Sequence, residues 1–145
     1  MPRVVLDTNV VVSGLLKPGG KPELILMLIF DEELRICELC LSDDVFSEYE
    51  KVLGYGKFKG VLDQNRIKRF LSHLKKQASW VTPRVPVKAL SDDPSDNRFL
   101  ACAIEAGADF FITGNIKHFP FKKLHKTRIV TPAEFLDIIA ETLFA

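Results

Sequence analysis

Apolar residues first run together at Val4-Val5-Leu6, and the run stops on a carboxylate, Asp7. A stretch of β-branched and apolar residues without polar alternation reads as a strand buried on both faces, the kind found in parallel sheets. Strand one is therefore placed at about residues 3–7. Helical spacing follows as far as Asp31, broken by the turn Pro18-Gly19-Gly20. Pro22 suits a first helical turn ahead of Leu24, Ile25, Met27 and Leu28. Residues 34–41 read as strand two. Ser42 is then a candidate N-cap, with Asp43 and Asp44 in the first turn, where negative charge complements the helix dipole. That helix carries Val45, Phe46, Tyr49, Val52 and Leu53, and Gly54 ends it.

Residues 65–77 form a second amphipathic pattern, with Ile67, Phe70, Leu71 and Leu74 on one face and five bases elsewhere. Trp80-Val81 reads as a short strand. A further helix opens at Asp93-Pro94 and runs through Phe99, Leu100, Ala103 and Ile104 to Gly107. Residues 110–113 and 128–130 are strands. Thr131-Pro132-Ala133-Glu134 is a capping box with proline at the first helical position, opening the last helix. Strands alternating with helices of this length imply an α/β layer fold with a mostly parallel sheet. No repeat, low-complexity tract or linker divides the 145 residues, so residues 1–145 are expected to form a single domain with its own core.

Composition narrows the class. Apolar residues at 47% and charged residues at 27% are ordinary for a soluble globular protein. The longest apolar stretch, residues 24–30, falls far short of the roughly 20 that a membrane span needs. The start, Met1-Pro2-Arg3-Val4, lacks the apolar centre of a signal peptide, so export is not expected. Three cysteines, Cys37, Cys40 and Cys102, lie inside apolar segments, which fits reduced core thiols in a cytoplasmic protein. The net charge of +1 hides an asymmetry. Residues 23–50 hold nine acids against Arg35, whereas residues 51–90 hold ten Lys or Arg against Asp63. Lys117, Lys122, Lys123, Lys126 and Arg128 follow, with His118 and His125, in a stretch without acids. Such blocks permit a polyanion partner, and solvated helix faces are the plain alternative.

Three separated carboxylates then matter. In open α/β sheets ligands bind just beyond the carboxyl ends of strands, where Asp7 stands. Glu48 lies on the helix after strand two, and Asp92, Asp93 and Asp96 cluster at the start of a later helix. Each has an ordinary explanation. Asp7 could cap the next helix, Glu48 could pair with Lys51, and Asp96 could sit third in a capping box begun by Asp93. Brought together without a cation, they would repel and their pKa values would rise. Hard oxygen donors suit Mg²⁺ or Mn²⁺, which lower the pKa of bound water and neutralise charge on a phosphodiester, with basic residues holding the backbone.

Val4-Val5-Leu6-Asp7-Thr8-Asn9, then Leu41-Ser42 with Glu48-Tyr49, resemble the PIN domain. So do Asp93-Pro94-Ser95-Asp96-Asn97-Arg98-Phe99-Leu100-Ala101 and Ala106-Gly107-Ala108-Asp109 leading to Ile112-Thr113-Gly114. More narrowly, they resemble VapC-like prokaryotic PIN proteins, toxin components of toxin–antitoxin systems. The resemblance covers nearly the whole chain, in order. It implies a three-layer α/β/α sandwich with a mostly parallel central sheet, and divalent-metal-dependent cleavage of single-stranded RNA leaving a 3′-hydroxyl and a 5′-phosphate. It also implies a homodimer and a small antitoxin that blocks the acidic cleft. By this resemblance Asp7, Glu48 and Asp96 are the metal ligands and catalytic carboxylates.

The fourth acidic position departs from the family, because Thr113-Gly114 is followed by Asn115. Asparagine offers a carbonyl oxygen without charge, so Asn115 is expected to assist while binding a second metal weakly, with Mn²⁺ favoured over Mg²⁺. Asp93 is assigned to capping and Asp109 to the helix-to-strand turn. Thr8, Asn9 and Thr113 are placed to support Asp7 by hydrogen bonding. Two other readings stand beside the nuclease. One is a degenerate PIN domain that binds RNA or a protein without cutting, favoured by Asn115. The other is a phosphotransfer or receiver-type domain, disfavoured because Asn9 replaces the second aspartate of aspartate-nucleophile hydrolases and no lysine occupies the strand-end position after Thr113. Cys37 and Cys40 have metal-ligand spacing but no second pair, so core packing is expected. His73, His118 and His125 lack zinc spacing, and Pro18-Gly19-Gly20-Lys21-Pro22 lacks a phosphate-loop pattern. Phe119 and Phe121 interleave with lysines; burial is expected, with base stacking the alternative.

Overall fold

The structure, a computed structural model, describes residues 1–84 and 93–144, so Asp92 lies outside the described residues. The strands are β1 (Arg3–Leu6), β2 (Glu38–Leu41), β3 (Ser79–Trp80), β4 (Phe110–Ile112), β5 (Lys123–Leu124) and β6 (Thr127–Val130). The helices are α1 (Thr8–Leu16), α2 (Lys21–Phe30), α3 (Asp43–Leu53), α4 (Gln64–Gln77), α5 (Asn97–Ala106) and α6 (Pro132–Phe144). Among the described residues the strands form one sheet in the order β3-β2-β1-β4-β6-β5, parallel except where β5 meets β6. Helices α3 and α5 pack together, with α5 against β1, β2 and β4; α1, α2 and α6 form a second group, with α6 on β4 and β6. This is the three-layer α/β/α arrangement.

The apolar run Val4-Val5-Leu6 lies at the centre of that sheet and is fully buried. Covered on both faces, it has no need of polar alternation. From β1 the chain winds out through β2 to β3, then returns to build β4 and β6 on the other side. The gap beyond the carboxyl ends of β1 and β4 is therefore the topological switch point, where this class of sheet leaves a crevice. In register, Leu6 stands opposite Ile112, and the Asp7 amide donates to the Ile112 carbonyl at 2.9 Å. Asp7 and Thr113 thus leave the sheet side by side.

Local signals set most boundaries. The Ser42 hydroxyl accepts from the Val45 amide and starts α3. Thr131 and Glu134 exchange side-chain-to-amide hydrogen bonds at 3.1 and 3.2 Å, the reciprocal capping box at the start of α6. Two expectations are corrected. Strand two begins at Glu38 rather than residue 34. The Asp31 carboxylate accepts from the amides of Glu33 and Leu34, which closes a turn, and Arg35 has φ of 43°, so the chain cannot extend there. Leu34 is 61% exposed accordingly. The helix expected at Asp93-Pro94 starts in two steps, a 3₁₀ turn over Pro94–Asp96 and then α5 from Asn97. The β5–β6 hairpin, turning at His125-Lys126, carries neither Gly nor Asn to announce it.

Candidate active site

Asp7 is 7% exposed, and its side chain does not cap α1. Its Oδ2 instead accepts from the Thr113 hydroxyl at 2.7 Å and from Asn9 Nδ2 at 3.2 Å. Asn9 Oδ1 accepts from the Gly114 amide at 2.9 Å, and the Thr113 hydroxyl accepts from the Asn115 amide at 3.0 Å. Asp7, Asn9, Gly114 and Thr113 therefore close a hydrogen-bonded ring across the mouth of the crevice. A β-carbon at Gly114 would lie 3.2 Å from Asn9 Oδ1, so the ring leaves little room there. Burial pushes the Asp7 carboxyl above its usual range. The Thr113 hydrogen bond, the Thr8 backbone, Asn9 and the charge of His118 oppose that rise without cancelling it.

Glu48 reaches this end of the sheet through its neighbour. Tyr49 is fully buried, and its hydroxyl donates to the carbonyl of Leu6, the last residue of β1. That bond ties α3 to the strand end that presents Asp7. The Glu48 carboxylate pairs with Arg98 rather than Lys51, with Nη1 to Oε2 at 2.8 Å. Arg98 Nε also donates to the Ser95 carbonyl at 2.9 Å, so the guanidinium bridges the Pro94–Asp96 turn and α3. Nothing local in the sequence announces this pair, whose members are 50 residues apart.

Asp96 is 8% exposed and stands at the junction of the turn and α5. Asp93 does serve as a cap, but of the 3₁₀ turn. Its Oδ1 accepts from the Ser95 amide and hydroxyl, and these bonds hold its carboxyl below the usual range. Asn115 is exposed; its carbonyl accepts from the His118 amide at 2.9 Å and starts the turn Ile116–His118. The charge of His118 lowers both Asp7 and Asp93, so this turn lies within electrostatic reach of both. Buried Phe119, packed on Phe111 at 5.2 Å, anchors the turn and is core. Asp109 lies at the opposite end of the sheet, accepting from the Arg3 amide and pairing with Lys126, as its assignment to the helix-to-strand turn anticipates.

Residues 3–117 of the chain match the model of the PIN domain. The chain belongs to the PIN domain family. The match spans Asp7, Glu48, Asp96 and Asn115. Across 93% of its length the chain is 29% identical to the uncharacterized protein MJ1680 of Methanocaldococcus jannaschii, 90% of which is covered. Its fold is similar to VapBC2 from Rickettsia felis, solved bound to a DNA fragment from their promoter, with TM-score 0.58 and 18% identity over 89% of this chain and 98% of that one. It is similar also to VapBC-1 from nontypeable Haemophilus influenzae, with TM-score 0.55 and 18% identity over 90% of this chain and 98% of that one.

PIN domains are generally nucleases that use divalent metals. In this PIN domain, no three His, Cys, Asp or Glu side chains among the described residues are grouped closely enough to hold one ion. Asp7 is buried beside Thr113 and Asn9, Asp96 is buried at the head of α5, and Glu48 is engaged by Arg98. The donor chemistry still fits Mg²⁺ or Mn²⁺. The donors are hard oxygens, and Asp7 is a buried carboxyl that burial pushes up, a cost a bound cation would offset. The cysteines do not compete for a metal role: all three are buried and free, and burial pushes Cys37 and Cys40 up to about 11 and Cys102 up to about 12. No helix among the described residues is long and apolar enough to cross a membrane.

Proposed function

We propose that this PIN domain is a divalent-metal-dependent endoribonuclease acting on single-stranded RNA in the cytoplasm, the toxin of a toxin–antitoxin pair. The observation that carries the reading is the ring that holds the buried Asp7 carboxylate at the switch point of the sheet. Asp7, Glu48 and Asp96 would hold Mg²⁺ or Mn²⁺, and the Asn115 carbonyl would assist. The ion supplies Lewis acidity, activating water and neutralising charge on the phosphate. The chain's own part is positioning. Thr113 and Asn9 confine Asp7 to one orientation before any ligand arrives, and Tyr49 fixes the helix that carries Glu48 relative to β1. Lys117, exposed on the turn after Asn115, would meet the backbone of a bound RNA. Lys126, engaged by Asp109 at the far end of the sheet, would not.

Similarity in fold to the two VapBC structures supports an antitoxin partner. Exposed Leu24 and Met27 on α2 and Leu143 on α6, helices that pack together, support a homodimer face. A second reading, a PIN domain that binds RNA or protein without cutting, is favoured by two observations: Asn115 at the fourth position and the engagement of Glu48 by Arg98. End-labelled single-stranded RNA incubated with Mn²⁺ and either the wild type or Asp7→Asn separates the two. Cleavage by the wild type alone supports the nuclease, and cleavage by neither supports the binding domain. Equal cleavage by both would mean a contaminant.

A further inference from the structure

We propose that Arg98 is a built-in competitor for the Glu48 carboxylate, so that a divalent cation binds this site by displacing the guanidinium. The inference rests on the metal-dependent reading above and concerns how the site is kept before a cation arrives. Its geometry is specific. Arg98 follows Asp96 by two residues, places Nη1 2.8 Å from Glu48 Oε2, and is steadied by its Nε bond to the Ser95 carbonyl. The guanidinium thus stands between the two elements that carry Glu48 and Asp96. It supplies positive charge directly against the Glu48 carboxylate, two residues along the chain from Asp96. The pair is partly open to solvent, with side chains 19% and 32% exposed, so its members can separate without a buried charge being stranded. This charge-assisted bond engages Glu48 Oε2, an oxygen a cation would otherwise use.

The plain alternative is a strut joining α3 to α5. A strut contributes stability and leaves metal affinity alone, whereas a competitor opposes it. Arg98 is therefore a positioning residue, and its test reads cation binding rather than RNA cleavage. Mn²⁺ is titrated by calorimetry into wild type, Arg98→Gln, Arg98→Lys, Glu48→Gln and the Arg98→Gln/Glu48→Gln double variant, with thermal melts in chelator and in Mn²⁺. Arg98→Met, which keeps the aliphatic stem, replaces Arg98→Gln if that variant does not fold.

The expected result is about fivefold tighter Mn²⁺ binding by Arg98→Gln, the factor that ~1 kcal/mol of lost competition gives. Arg98→Lys should restore weak binding. The gain should vanish in the Glu48→Gln background, and Mn²⁺ should raise the melting temperature of Arg98→Gln more than that of the wild type. Unchanged or weaker binding by Arg98→Gln, with wild-type binding intact, overturns the competitor and leaves the nuclease reading standing. An equal gain with and without Glu48 also overturns it, because removal of charge alone would then explain the effect. Mn²⁺ binding by none of the proteins overturns the metal-dependent reading and this inference together.

Discussion

Replacing Asp7 by asparagine should stabilise the metal-free protein at neutral pH while abolishing its response to Mn²⁺. The side chain is nearly isosteric, and its amide oxygen can still accept from Thr113 Oγ and Asn9 Nδ2, which stand 2.7 and 3.2 Å from the carboxylate. The neutral acceptor forfeits part of each bond, since hydrogen bonds to charged groups are worth ~1.5–3 kcal/mol against ~0.5–1.5 for neutral ones. It also removes the cost of holding a charge in a site that is 7% exposed. The upward displacement of the Asp7 carboxyl decides the sign, because burial outweighs every hydrogen bond and charge that favours ionisation. A carboxyl raised in the folded state contributes most below its unfolded value, near 3.8, and that contribution is lost as pH rises through the folded value. Wild type should therefore lose stability over that window relative to Asp7→Asn, and the difference should persist at neutral pH. A gain of ~0.5–2 kcal/mol, the usual size of a single stabilising substitution, is expected. For a chain of this size each kcal/mol moves the melting temperature by roughly 3–4 °C. Thermal melts of both proteins across the acid-to-neutral range, in chelator and in Mn²⁺, measure it. A variant no more stable than wild type at neutral pH in chelator, with the same slope against pH, would refute the claim that Asp7 carries an uncompensated buried charge.

Other substitutions probe separate links. Tyr49→Phe leaves the Leu6 carbonyl without the hydroxyl that ties α3 to β1, so urea unfolding should show a loss of about 1–3 kcal/mol. Asn115→Asp adds an anion on the exposed turn beyond Thr113 and should tighten Mn²⁺ binding in calorimetry; an unchanged isotherm would remove residue 115 from the metal site. Leu143→Glu places a charge on the exposed apolar part of α6 and should convert a dimer to monomer in analytical ultracentrifugation, with the melting temperature of the fold little changed.

The parts of the molecule readable from the chain are those whose hydrogen bonds close within a few residues. Ser42 capping α3, the Thr131–Glu134 box and Pro22 at the start of α2 satisfy their own helix ends locally, so residue type and spacing suffice. The turn after α2 escaped that reading although it too is local. Apolar residues at 34, 36 and 37 imitate a strand, and only the Asp31 side chain bonding Glu33 and Leu34 shows otherwise. Asp7 was legible as a candidate because an acid ending a buried strand is costly unless something uses it. What surrounds it was not. Thr113 and Gly114, 106 and 105 residues from their partners, meet Asp7 and Asn9 only because the sheet places β4 beside β1. Lys51 was the partner within helical reach of Glu48, yet the packing of α3 on α5 delivered Arg98. By itself the sequence determined the alternation of elements, the helix caps and which carboxylates to suspect, because propensity and periodicity act over a few residues. Only the tertiary structure decided which of those charges are buried, which are neutralised and by what, because strand order and helix packing bring distant residues to hydrogen-bonding distance.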